Sequence, residues 1–217
     1  MTTSHSFVPA LGIRALTPLY DSVVRLTTRE STFKRLLVDE ASVRPKERVL
    51  EVACGTGTLA LLIKQAAPGA EVVGIDIDPA MLARARRKAA ASGVEARFVE
   101  RSVLGSLEEL GHFDVALSTL FFHHLGTSEK REALANVRAA LRPGGRLHVV
   151  DWGPPSSPLL AASFLAVRAL DGFAPTEANV RGQLPALIKG AGFSDVTETR
   201  ALDTPLGTLR FLRAVVA

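Results

Sequence analysis

From residue 48 to residue 151 the chain alternates between two hydrophobic periods, and this alternation constrains the fold more than any other feature. Short runs rich in Val, Ile and Leu give way in turn to runs with apolar residues three and four apart. The spacing predicts strands over 48–53, 71–76, 95–100, 113–119 and 146–151. Between them it predicts helices over 58–67, 79–92 and 127–141, stopped by Pro68-Gly69, Gly93 and Pro143-Gly144-Gly145. Asp78 is placed to cap the second of these helices, with Pro79 at its first position. Strands separated by helices pair in parallel and are covered on both faces, so the expected class is α/β, a doubly wound and mostly parallel sheet.

Outside this core the pattern changes. Leu16, Leu19, Tyr20, Val23, Val24 and Leu26, then Phe33, Leu36, Leu37 and Val38, recur at helical spacing until Pro45 breaks it. After Asp151 come a Pro- and Ser-rich loop, an apolar helix over 159–170, a helix over 177–191 and strands over 193–199 and 208–216. Thr204-Pro-Leu-Gly reverses the chain between the last two. Seven strands result, in one domain: an N-terminal helical lid (1–45), a cofactor-binding core (46–151), a lid insertion (152–185) and a closing helix end with a strand hairpin (186–217).

Composition narrows the functional classes. Of 217 residues, 26 are basic and 22 acidic, a net charge of +4. Eight basic and five acidic residues lie in 1–48, whereas 49–151 holds twelve of each. The excess is therefore N-terminal and sparse, not the dense basic stripe of a duplex-binding face, and no nucleic-acid partner is expected. A single cysteine, Cys54, excludes an intramolecular disulfide framework. The apolar runs are too short for a transmembrane helix, and the first residues lack a signal-peptide pattern, so a cytoplasmic protein is expected, monomeric or homodimeric.

The first strand runs into Glu51-Val-Ala-Cys-Gly55-Thr-Gly57-Thr-Leu-Ala60. Gly55 and Gly57 permit a tight turn and close approach of a ligand to backbone, with a helix N-terminus behind them. Nineteen residues beyond Gly57 lies Asp76, at the end of the second strand, where a carboxylate can accept from both ribose hydroxyls of a nucleoside. The same segment satisfies the dinucleotide fingerprint G-x-G-x-x-G/A, so two cofactors fit it. Glu51 favours the one that carries a cation: buried at a strand end, it would repel a pyrophosphate and attract an ammonium group. The only tyrosine, Tyr20, has no lysine four residues on, which argues against hydride chemistry.

Val49-Leu-Glu-Val-Ala-Cys-Gly-Thr-Gly, Gly74-Ile-Asp-Ile-Asp-Pro-Ala-Met-Leu82, Phe113-Asp-Val-Ala-Leu-Ser and Leu141-Arg-Pro-Gly-Gly-Arg-Leu147 together resemble the ordered motifs of class I S-adenosylmethionine-dependent methyltransferases. The wording of the glycine loop is most similar to the ubiquinone/menaquinone-biosynthesis type and its small-molecule relatives. The resemblance implies a Rossmann-like fold and S-adenosyl-L-methionine as cofactor, leaving as S-adenosyl-L-homocysteine. It implies that Glu51, Gly55 and Gly57 hold the methionine portion, with Ala53 and Cys54 lining the turn and Ala53 standing where relatives have glycine. Asp76 would bind the ribose, Ile77 and Met81 would pack near the adenine, and Ser102 and Val103 would flank it. Ser118 and Leu120 would face the sulfonium, and Tyr20 would reach the cofactor carboxylate, with Arg29 as a second anion contact.

Methyl transfer from a sulfonium needs alignment and exclusion of water, and a base only where the acceptor must lose a proton. His123 or His124, after the fourth strand, is the expected general base; the alternative is that one imidazole only fixes the loop. No metal is expected, because no carboxylate lies at ligand spacing from this pair. The N-P-P-Y or D-P-P-Y segment of nucleic-acid amino methylases is absent. Phe7, Leu11, Leu16, Leu19, Tyr20, Phe164, Leu165, Val167, Leu170 and Phe173 are expected to line an apolar acceptor pocket, or else to form lid core or a dimer contact. The expected activity is methylation of a small apolar or aromatic acceptor. The alternatives are a phospholipid or amine N-methyltransferase, a non-catalytic S-adenosylmethionine-binding protein and, remotely, an NAD(P)-dependent oxidoreductase.

Overall fold

The computed structural model describes residues 29–217. The segment carrying Phe7, Leu11, Leu16, Leu19 and Tyr20 lies outside the described residues. The elements run α1 (Glu30–Ala41), β1 (Arg48–Val52), α2 (Thr58–Ala66), β2 (Glu71–Asp76), α3 (Pro79–Ala91), β3 (Arg97–Glu100), β4 (Phe113–Thr119), α4 (Thr127–Ala140) and β5 (Leu141–Trp152). Then follow α5 (Pro158–Asp171), α6 (Phe173–Val180), α7 (Leu184–Gly190), β6 (Phe193–Thr204) and β7 (Gly207–Val216).

The seven strands form one sheet in the order β3-β2-β1-β4-β5-β7-β6. β1 to β5 are parallel, while β7 runs antiparallel to both β5 and β6. The central strands read as continuous apolar runs because both their faces are covered, as parallel pairing requires. Phe33, Leu37, Leu59, Ile63 and Leu82 fill one face. Leu134, Val137, Leu187 and Ile188 fill the other with Phe113 and Leu147. Successive strands spread outward from β1 in one direction and from β4 in the other. The strand order therefore switches between β1 and β4, and the crevice beyond their carboxyl ends is where such sheets hold ligands.

Local chemistry explains the boundaries. Asp78 caps α3 by accepting from the Ala80 amide at 2.8 Å, with Pro79 in the first turn, as the sequence predicts. The single helix expected over 177–191 is two helices. Gly182 turns left-handed at φ 66°, and Pro185, without an N–H, fits only the opening turn of a new helix. β5 starts earlier than expected, at Leu141, because the Pro143-Gly144-Gly145 stretch bulges within the strand rather than preceding it.

The apolar helix α5 divides its residues. Phe164 and Val167 are buried, with the Phe164 ring 5.2 Å from that of Trp152, so they are core and not pocket wall. Leu165, Leu170 and Phe173 face outward. Among the described residues no helix is long and apolar enough to cross a membrane.

Candidate functional site

The glycine loop joins β1 to α2 at the switch point. Gly55 and Gly57 have φ of 53° and 73°, the left-handed region that glycine enters without a Cβ clash. A Cβ on Gly57 would lie 2.9 Å from Ala85 Cβ and from the Phe98 ring, so the loop seats directly on α3 and β3. A Cβ on Gly55 would meet nothing within 4 Å, which leaves its backbone open to an approaching group. Ala53 takes φ 53°, so the position where relatives have glycine keeps a glycine-like conformation. Lys88 Nζ donates to the hydroxyls of Thr56 and Thr58, both at 2.9 Å, and ties the loop to α3.

Two carboxylates face this loop. Glu51 is 2% exposed, and it accepts from the Ala60 amide, one of the donors that α2 leaves unpaired because its cap, Gly57, has no side chain. Its Oε2 has no hydrogen-bond partner among the described residues. Burial pushes its pKa up to about 7 against the opposing pull of Lys34, and Asp76 adds to the rise. Asp76 ends β2; its two oxygens accept from the Gly55 amide at 2.8 Å and the Asp78 amide at 2.9 Å, and burial raises its pKa. Ile77 beside it is 46% exposed, an apolar surface at the crevice rim.

The structure relocates several expected contacts. Cys54 turns its thiol into the core, so close to Gly74 that a Cβ there would lie 2.9 Å from Sγ. It does not line the ligand side of the turn, and burial pushes its thiol pKa up. Ser118 is fully buried and donates to the Val52 carbonyl at 3.4 Å, below the crevice floor. Met81 and Val103 are buried, whereas Ser102 is exposed and accepts from the Leu104 amide at 3.2 Å. Leu120 is half-buried at φ 51°, at the end of β4. Arg29 donates to the Asp203 carbonyl at 3.4 Å rather than serving the loop. Tyr20 lies outside the described residues.

Beyond β4 a 3-10 turn, Phe122–His124, presents the two histidines. His123 is 3% exposed, and its Nδ1 lies 2.6 Å from Asp151 Oδ1. Its backbone N–H donates to Asp151 Oδ2 at 3.2 Å, and its Nε2 lies 3.5 Å from Asp171 Oδ2. Burial alone would lower its pKa, but the Asp151 and Asp171 carboxylates override that and hold it up at about 9. His123 is thus an anchor of the turn and not the free base expected from the sequence. His124 stacks on it at 3.9 Å and is pushed down to about 4 by burial and by His123. Lys130, fully buried, donates to the Leu125 and Pro175 carbonyls and fastens the turn to α4 and α6. Asp151, Asp171 and Lys130 were not singled out in the sequence; only Asp151, closing the last parallel strand, stood at a position that could have signalled it.

Comparison with known proteins agrees with this geometry. Residues 49–145 match the family described as Methyltransferase domain. The chain is 43% identical over 142 residues to a demethylmenaquinone methyltransferase of Thermus thermophilus, covering 64% of each chain. It is 36% identical over 132 residues to a ubiquinone/menaquinone biosynthesis C-methyltransferase of Ectopseudomonas mendocina, covering 59% of this chain and 51% of that one. The chain thus spans between half and two thirds of these relatives' lengths. An O-methyltransferase family protein from Burkholderia thailandensis shares the fold, with a TM-score of 0.72 at 19% identity over 94% of this chain and 60% of the other.

Proposed function

We propose that the chain transfers a methyl group from S-adenosylmethionine to a small apolar acceptor of the quinol type. The observation that carries the cofactor is the unpartnered Glu51 Oε2 beside an open glycine loop. A buried carboxylate oxygen is costly to leave unpaired, and an ammonium group repays that cost. The residues fit the group: Glu51 would hold the amino end of the methionine portion, the open Gly55 backbone would admit it closely, Asp76 would accept from the ribose and Ile77 would cover the adenine. When bound, S-adenosylmethionine supplies a methyl carbon already activated by its sulfonium leaving group. The chain then has to orient and to exclude water, and no proton donor is needed at the sulfur. A quinol-type acceptor is supported by the names of the relatives at 43% and 36% identity.

Calorimetry with S-adenosylmethionine and with NAD tests the cofactor; binding of NAD alone would sink this reading. Mass spectrometry of a short-chain demethylquinol incubated with cofactor and chain tests the acceptor, with a gain of one methyl as the expected result. A lipid acceptor is the second reading, favoured by the outward Leu159, Leu165, Leu170 and Phe173. Methylated phosphatidylethanolamine in vesicles, with the quinol untouched, would select it.

A further inference from the structure

We propose that His123, His124 and Asp171 form a binding site for one borderline divalent cation, zinc or a first-row neighbour, with Asp151 aiming His123. The fold brings together what the sequence keeps apart. The histidines come from the turn after β4, and Asp171 comes from the last residue of α5.

The donors lie close enough together to converge on one ion. Asp171 Oδ2 lies 3.5 Å from His123 Nε2, and Asp171 Oδ1 lies 3.8 Å from His124 Nδ1. One donor atom from each residue falls within 4.8 Å of the others. These separations are long for hydrogen bonds, whose heavy atoms sit about 2.7–3.2 Å apart. Around a tetrahedral ion with bonds of about 2.0–2.1 Å, neighbouring donors sit about 3.4 Å apart. Two imidazoles with one carboxylate suit zinc, cobalt or iron(II), while magnesium and calcium prefer all-oxygen sets.

The outer shell is also in place. Asp151 Oδ1 lies 2.6 Å from His123 Nδ1 and also accepts from the Trp152 amide at 2.7 Å, which fixes both the ring and the carboxylate. A metal-bound histidine characteristically gives its other nitrogen to such a carboxylate, and a proton on Nε2 leaves when the ion enters. Lys130 donates to the Leu125 and Pro175 carbonyls and to neither aspartate, so Asp171 is left facing the two histidines. His124, with 35% of its side chain exposed, opens the site outward. Three protein donors leave a fourth position free, as in reactive rather than structural sites.

The test uses the full, tag-free chain after dialysis against a chelator, with Zn2+ followed by calorimetry and Co2+ by visible absorption. The expected result is one ion per chain, cobalt bands of low symmetry, and no binding of Mg2+. His124→Ala and Asp171→Asn should each weaken Zn2+ binding at least tenfold, and Asp151→Asn by about 10–100-fold, the usual effect of a second-shell carboxylate. His112→Ala, at an exposed position on the other sheet edge, should leave it unchanged. His124 is partly exposed, so a circular dichroism melt near that of the parent will show that this variant folds, and it decides the matter even if Asp171→Asn does not. Absence of Zn2+ and Co2+ binding, or equal binding by His124→Ala, overturns the site. No methyl donor or acceptor is present, so the outcome is separate from that of the methyltransferase reading.

Discussion

At the β1–β2 half of the strand edge, Glu51 is buried with one oxygen unpartnered and the Gly55 backbone is open. At the β4–β5 half, Asp151 and His123 meet at 2.6 Å, and Lys130 donates to two carbonyls. The first half therefore carries an electrostatic deficit that a ligand relieves. At the second, Asp151 and His123 satisfy one another and hold the turn in shape. Removing a group from the first should cost cofactor binding, and removing Asp151 from the second should cost stability.

The largest expected effect tests the second half. Asp151→Ala strands a buried imidazolium and should destabilise the fold by about 3–5 kcal/mol in urea unfolding. A loss below about 1 kcal/mol, the range of an exposed pair, would erase the contrast between the halves.

Next comes Asp76→Ala in the first half, which should weaken S-adenosylmethionine binding by about 1.5–3 kcal/mol by calorimetry. Unchanged affinity would show that Asp76 serves only the Gly55 and Asp78 amides.

Glu51 gives a pH signature of intermediate size. Its folded pKa, about 7, lies above the ordinary 4.5, so its burial carries no ionisation penalty at low pH. Its penalty grows as pH rises from the ordinary value toward 7, and ligand-free stability should fall across that window. Burial sets that value, and the facing Lys34, Asp76 and Lys88 modify it. An ammonium ligand prefers the ionised form, so affinity should rise several-fold between about pH 6 and about pH 7.5, before the ligand amine itself deprotonates. Glu51→Gln should flatten this profile; a profile unchanged by that substitution would assign it elsewhere.

The smallest effect is local. Ala53→Gly relieves a left-handed alanine but frees the unfolded chain, and should stabilise by about 0.5 kcal/mol in thermal unfolding. A destabilisation would mean that the Ala53 methyl packs productively.

The same contrast explains what could be read from the sequence. Glu51, Gly55, Gly57 and Asp76 lie within one strand-helix-strand unit, where local spacing dictates which side chains share an edge. The strands from β1 to β4 were legible for the same reason. The site at the histidine turn was not: residues 123, 151 and 171 converge only through tertiary packing, and no spacing rule links them. Cys54 was placed in the correct loop but on the wrong side, since a turn leaves open which side chain meets the core. Its thiol should therefore resist labelling by thiol reagents both with and without cofactor.

The position of β7 between β5 and β6 has a consequence for the order of synthesis. β6 is made before β7 but pairs only with it, so it has no strand to pair with when it leaves the ribosome. Until residues 207–216 emerge, β5 keeps an open edge and β6 stays unpaired, the state most exposed to wrong partners. Closure of the sheet, and with it the seating of Asp151 and Trp152 opposite β7, is thus a late event in the life of the nascent chain.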